Sequence, residues 1–395
     1  MDLIPSKGTS MRHSTYILVI FSLLLIGAGG AFYFLRMPAD TRSLPASFIL
    51  APEDPSASLE GVNVKALVAH PDELRAWLRK VGPKRIMEHL LENSGGGALE
   101  GCHQAAHVVG KLSYELYGAV AFASGSEHCH SGYYHGAMET MLYQEGTADL
   151  AGTVRRICDT FVTSFGKYEC LHGVGHGIMA YEDYDLPKAL DDCEHLGSDD
   201  DRDSCYGGVF MENIATAQGM GASPDHTTTW VGKDPHYPCN AISKDLSVQR
   251  HCYLMQTTWM LGLLGNDFSK VADECLKAPA EVRGFCFASM GRDAAGIALR
   301  DPGQINGVCL NAPKGDYYDY CIAGGLNVIV DFWGSNLGDQ ATALCRRIGK
   351  DSKLSCYTIL AGRLKDIFTE QSSVARVCAS FEDEYRPLCA PNSQE

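Results

Sequence analysis

The signatures of the common catalytic folds are missing from this chain. No two cysteines are spaced C-x-x-C, which excludes a thioredoxin-type redox motif and c-type haem attachment. No G-x-S-x-G elbow, phosphate-binding P-loop or dinucleotide fingerprint occurs, which removes the hydrolase and nucleotide chemistries those motifs serve. H-E-x-x-H is absent too, so the histidines that are present do not make a zincin protease. The chain has no N-x-[ST] glycosylation sequon, which accords with a bacterial periplasm. Basic residues are short: 33 Lys and Arg face 48 Asp and Glu, a net charge of −15. Such a balance argues against nucleic acid or an anionic membrane surface as partner.

Long uncharged runs are absent but for one. Thr15 to Leu35 is 21 residues of apolar sequence, TYILVIFSLLLIGAGGAFYFL, enough to span a bilayer as a helix. Lys7 and Arg12 precede it as they would precede the core of a signal peptide. The run is longer than such a core, however, and no A-x-A cleavage site follows. It is therefore expected to be a retained transmembrane anchor, with residues 1–14 cytoplasmic and residues 36–60, rich in Pro, Ser and Ala, as a linker. The flanking charges barely orient it, because Arg36 and Arg42 lie beyond the run.

What the chain has in quantity is cysteine, 16 residues, and the spacing is regular. Fourteen fall into seven consecutive pairs: Cys158 with Cys170, Cys193 with Cys205, Cys239 with Cys252, Cys275 with Cys286, Cys309 with Cys321, Cys345 with Cys356 and Cys378 with Cys389. From one second cysteine to the next the step is 35, 47, 34, 35, 35 and 33 residues. That period marks a helical-hairpin repeat, and the pairs predict one disulfide per hairpin. So many paired thiols belong in an oxidising space, which places the body in the periplasm or outside the cell. Closing each loop of about a dozen residues should stabilise its hairpin by roughly 3 kcal/mol.

The expected fold is all-α: a solenoid of hairpins of about 35 residues, each stapled by a disulfide, behind one transmembrane helix. Residues 61–145 are its His-rich N-terminal repeats, and residues 146–395 its stapled repeats, with an inserted loop at 218–238. In the copy at 186–217, a first helix is expected to stop at Gly197 and a second to run from about Ser204. A small residue stands three places after the cysteine in most second helices: Ala105, Gly132, Gly173, Gly208, Ser289 and Gly324, but Met255 and Ile359 in two copies. In repeat length, paired cysteines and small residues, residues 84–390 resemble the disulfide-stapled relatives of tetratricopeptide and Sel1-like repeat proteins. Their consensus signatures are not reproduced, and Sel1-like repeats place their cysteines closer together. The resemblance implies an architecture and a concave face that binds peptides or proteins; it assigns no residue a role. Cys102 and Cys129 are left over, either bridged to each other or free, Cys129 then being a candidate metal ligand.

Seven of the 14 histidines lie between residues 103 and 176. Aligned on their cysteines, the segments CHQAAHVVG, CHSGYYHGAME and CLHGVGHGIMA place His107, His135 and His176 at matching positions. His103 with His107 and His172 with His176 are i,i+4 pairs on one helix face, and His135 has Glu139 at the same offset. Later repeats lack histidine in this register. Neutral imidazole is a ligand for zinc, copper and iron, and an i,i+4 pair supplies two at once. The expected site is therefore a three- or four-histidine mononuclear transition-metal centre, drawn from His103, His107, His135, His172 and His176; the alternatives are a histidine-lined substrate site without metal and core histidines duplicated with the repeat. Glu139, Glu182 and Glu212 are the carboxylate candidates. Gly175 and Gly177, flanking His176, mark either a close approach to the backbone or a frayed helix start. Tyr134, Glu212, Asn213, Trp259, Arg292 and Asp293 are expected to line a groove, with Arg292 and Asp293 paired to each other. His226, Trp230 and His236 of the inserted loop either cover the site or form plain surface. Two functions follow: a metal protein, which could be a metal-dependent enzyme, or a scaffold that binds a peptide or protein in the groove without metal.

Overall fold

The computed structural model describes Asp54, Cys129 and residues 56–93, 99–125, 132–161, 163–219, 227–298, 300–331, 338–368 and 371–389. The expected anchor at 15–35, most of the linker and His226 lie outside these residues. Among the described residues every regular element is helical, and no helix is long and apolar enough to cross a membrane.

The helices are α1 (Val64–Leu67), α2 (Pro71–Glu92), α3 (Leu99–Tyr117), α4 (Val120–Ala123), α5 (Gly132–Glu145) and α6 (Leu150–Cys158). Next come α7 (Ser164–Tyr181), α8 (Leu186–Glu194), α9 (Asp199–Ala217), α10 (Leu246–Leu263), α11 (Phe268–Lys277) and α12 (Ala280–Ile297). The last are α13 (Pro302–Cys309), α14 (Asp316–Asp331), α15 (Gly338–Arg347), α16 (Lys350–Ile367), α17 (Gln371–Ala379) and a closing 3₁₀ turn, Asp383–Cys389.

Their ends are set locally. Thr163, Asp185, Ser198, Asp245, Asp267 and Asp301 each accept a hydrogen bond from a backbone N–H of the first turn that follows. Ser198 caps α9, so the acidic residues Asp199, Asp200 and Asp201 form its first turn, where carboxylates suit the helix dipole. The helix thus starts five residues earlier than the position near Ser204 read from the sequence, and Cys205 lies in its second turn. Gly146 ends α5 at φ 72°, a conformation that costs any other residue a Cβ clash.

All sixteen cysteines are paired in eight disulfides, with Cα separations from 5.4 to 5.9 Å. Seven are the pairs expected from spacing. Cys158 is bonded to Cys170, Cys193 to Cys205, Cys239 to Cys252 and Cys275 to Cys286. Cys309 is bonded to Cys321, Cys345 to Cys356 and Cys378 to Cys389. The eighth joins Cys102 to Cys129, which removes the Cys129 thiolate as a metal ligand.

The bridges do not all staple the same kind of hairpin. At Cys170, Cys205, Cys286, Cys321 and Cys356, a long helix is tied to the last turn of the short helix before it. The short helices are plainly amphipathic; α6, for example, buries Leu150, Val154, Ile157 and Cys158 on one face. Cys252 departs from this plan. It lies in the long helix α10, but its partner Cys239 sits in irregular backbone, so the inserted loop stands where a first helix would be. The last bridge departs in the other direction, tying α17 through Cys378 to the 3₁₀ turn at Cys389 instead of to a long helix.

Each long helix packs against the next, in the order α3, α5, α7, α9, α10, α12, α14, α16. The last then returns to the third. α16 packs on α7, with the Arg363 guanidinium 4.8 Å from the Phe165 ring and the Ser164 hydroxyl 3.4 Å from Asp366 Oδ1. Six helices, α7 to α16 in this order, therefore form a closed circuit of contacts. Spacing alone gives no sign of this closure.

Candidate metal centre

Close backbone crossings bring the histidines together. A Cβ on Gly136 of α5 would lie 2.0 Å from the His107 carbonyl oxygen of α3. One on Gly208 of α9 would lie 1.9 Å from that of His172 in α7. Only glycine permits helices this near, and side chains on the facing stripes then meet at short range. Gly175 and Gly177 belong to the same device. They sit mid-helix, against the Cys205 carbonyl at 2.1 Å and the Glu139 backbone N at 3.1 Å from their would-be Cβ atoms. The close approach read from the sequence is thus made by neighbouring helices, and the frayed helix start is excluded. Gly173, by contrast, has only an ordinary contact, 3.5 Å to the His135 ring.

All five histidines converge. His103, His107 and His135 have ring centroids 5.0, 5.3 and 5.4 Å apart, with the rings steeply inclined to one another. From α7, the His176 ring stacks on His135 at 4.0 Å and His172 lies 6.0 Å from His135 and 5.0 Å from His176. In each set of three, one ligand nitrogen per ring lies within 4.8 Å of the other two. His135 is common to both. His107, His135, His172 and His176 are buried, while His103 is half-buried.

Two of the rings are oriented by fixed partners. His103 Nδ1 donates to the Cys129 carbonyl at 2.9 Å, since a carbonyl can only accept, so in the neutral ring the lone pair falls on Nε2. His176 Nδ1 lies 2.8 Å from Glu212 Oε2. A carboxylate behind a ligating imidazole fixes its tautomer and raises its basicity. What is unusual is the number of polar atoms left over. His135 Nδ1 and Nε2, His172 Nδ1, His176 Nε2 and Glu212 Oε1 are buried without any hydrogen-bond partner. Buried polar groups are nearly always paired, so a cluster of five such atoms asks for an explanation.

The charge states follow from burial. It holds His107, His135 and His176 well below 6.5 and His172 at about 3, with neighbouring imidazoles adding to the effect at the first three. These rings are neutral at pH 7, the form that binds metal. Burial and the nearby Glu139 push Glu212 up to about 8. A cation on His176 Nε2 would favour the ionised carboxylate with the proton on His176 Nδ1.

The carboxylate candidates separate. Glu212 stands behind His176. Glu139 is raised by burial and lies outside both groups of converging ligand atoms. Glu182 is turned to Lys188 at 2.8 Å.

The residues expected to line the groove are mostly engaged inside the chain. Asn213 donates to the Trp230 carbonyl at 3.0 Å and accepts from Thr228 Oγ1 at 2.6 Å. Trp259 Nε1 donates to the Gly232 carbonyl at 2.9 Å. Arg292 pairs with Asp293 at 2.8 Å, as read from the sequence, and also donates to the Leu254 carbonyl and to Thr258. Tyr134 packs its ring on Phe161 at 5.4 Å. The inserted loop is bonded down through Thr228, Trp230 and Gly232, and His236 faces Tyr253 and Glu274 rather than the imidazoles.

Sequence reasoning missed Tyr168, whose ring lies 5.6 Å from that of His172. The signal for it is its i,i+4 offset from His172, the same rule that found the histidine pairs. Tyr168 is close enough to Arg292, Asp331 and Arg363 to feel their charges, and these belong to α12, α14 and α16. The charge of Arg292 also reaches His172, which links the imidazole cluster to these groups. No family model, no curated protein and no solved structure matches this chain, so its likeness to tetratricopeptide and Sel1-like repeats rests on spacing alone.

Proposed function

We propose that this chain is a membrane-anchored protein whose body, an α-solenoid of disulfide-stapled hairpins, stands outside the cytoplasm and carries a transition-metal centre held by imidazole. The anchor is supported by the uncharged run at 15–35, the compartment by eight disulfides and the solenoid by the recurring cysteine spacing.

The observation that carries the metal reading is the set of orphan atoms on His135, His172, His176 and Glu212. Each unmet buried polar atom costs about 1–3 kcal/mol. A cation coordinated by one nitrogen of each imidazole removes that cost at one atom of each of three rings. The primary position is the triad His135, His172 and His176, with Glu212 orienting His176 from behind. The donors are all nitrogen, which suits zinc, copper or iron and does not suit calcium or magnesium. A three-imidazole set leaves a coordination position open, so metal-dependent chemistry is the activity to screen. The scaffold reading needs Asn213, Trp259, Arg292 and Asp293 to be available to a peptide, and their polar groups are bonded within the chain.

The test is elemental mass spectrometry of the full chain and of a His135→Ala/His176→Ala variant. The expected result is bound transition metal at one equivalent or more, lost in the variant. No metal in either, after incubation with zinc, copper and iron salts, would overturn the reading.

A further inference from the structure

His135 is the ring both imidazole groups share, and it is the one ring, among the described residues, with both nitrogens shut off from solvent and without a hydrogen-bond partner. A single ion binds one nitrogen of an imidazole. On the far nitrogen it leaves an N–H, and at His135 that N–H would stay buried with nothing to receive it. His103 and His107 come from α3 and His172 and His176 from α7, the two long helices packed against α5, each pair supplying two more imidazoles.

We infer that the centre holds two metal ions, one on His103, His107 and His135, the other on His135, His172 and His176, with the His135 ring bridging them as imidazolate. This rests on the metal reading above and extends it from one position to two. The first ion displaces no proton from His135 if it takes the lone-pair nitrogen. The second replaces the remaining N–H, forming a metal–nitrogen bond and releasing that proton to solvent. The bridge carries one negative charge against two cations, and Glu212 adds a second from behind His176. With a five-membered ring between them, the ions lie farther apart than the roughly 3.5–4 Å of two-metal sites bridged by a single oxygen.

The experiment is a count of ions on the full chain, stripped of metal and then equilibrated with Cu(II) or Zn(II) against a competing chelator. The count is repeated on His107→Asn and His172→Asn, with circular dichroism and non-reduced mass as checks of folding. Two equivalents are expected in the wild-type chain and one in each variant. Copper supplies an independent readout. The pair coupled through the bridge should give little paramagnetic resonance signal, and each variant should recover the spectrum of an isolated Cu(II) ion. Titration calorimetry in buffers of different ionisation enthalpy should show a proton leaving with the second equivalent. One equivalent in the wild type, with a mononuclear Cu(II) spectrum, would overturn the bridge and leave the metal reading standing. Two ions with uncoupled spectra would also overturn the bridge. Zero equivalents would overturn both.

Discussion

The helices α3, α5 and α7 and the helices α10, α12, α14 and α16 are built alike, yet they treat buried polar groups in opposite ways. Both sets are long helices packed side by side, and disulfides join most of them to what precedes them. In the second set the polar residues near the histidine register satisfy one another. Thr257 Oγ1 meets Ser289 at 2.5 Å and donates to Asp293 at 2.7 Å, while Arg292 bonds Asp293 and Thr258. Arg363 grips Asp331 through two nitrogens at 2.5 and 2.7 Å. In the first set the equivalent stripe carries imidazoles, and those of His135, His172 and His176 keep nitrogens without partners. A buried network that closes on itself holds a fold together. One that stays open holds a place for something else.

Acid should separate the two regions most strongly. In the metal-free protein four buried histidines have folded pKa values below the roughly 6.5 of the unfolded chain. Their contribution is fully present above that pH, and stability is lost as pH falls below it, because only the unfolded state takes up protons. Glu212 works the other way. Its folded value of about 8 lets the native state keep a proton that the unfolded chain sheds, which cancels one histidine. Glu139, also raised by burial, acts in the same sense as Glu212, but four histidines outweigh two carboxyls, so stability should fall as pH drops from roughly 6 to 5. Urea denaturation in the presence of a chelator would measure it. Among the described residues the second region buries no histidine, so a flat profile would break the comparison.

Asp331→Ala should come next. It leaves the Arg363 guanidinium in a mostly buried place without its carboxylate, at a cost of about 3 kcal/mol by thermal denaturation. Metal content should not change, because the pair belongs to the closed network. Loss of metal here would mean that the two regions are not separate.

The smallest effect is the most pointed. In the metal-free protein His135→Leu removes two orphan nitrogens and should raise stability by about 1–3 kcal/mol, while metal binding is lost. Thr257→Val, a comparable change in the second region, should lower stability by about 1 kcal/mol because it strips a hydroxyl from a completed network. If both substitutions destabilise, the imidazoles are ordinary core residues.

Much of this was legible beforehand, for identifiable reasons. The cysteine pairs could be read because a disulfide across a tight hairpin is a local event, fixed by a separation of 11 to 13 residues. Spacing does not say what stands on either side of the bridge, and so the missing first helix before Cys252 went unseen. The convergence of His103, His107, His135, His172 and His176 could be read because helix periodicity sets a face and repeat alignment sets a height. Glu139 lies outside both groups of converging ligand atoms, because an i,i+4 offset puts a residue on a face without saying which atoms it meets. Glu212 was placed near the site, but its position behind His176 depends on the angle at which α9 crosses α7.

The sequence by itself determined the all-helical class, the hairpin disulfides and the stripe of imidazoles, since each depends on spacing along one or two neighbouring helices. Only the tertiary structure decided that α16 returns to α7, that Cys129 orients His103 through its carbonyl and that His135 stands between two pairs of histidines with both nitrogens bare. These are outcomes of helix crossing and burial, where small angles accumulate over many contacts. No spacing in the chain records them.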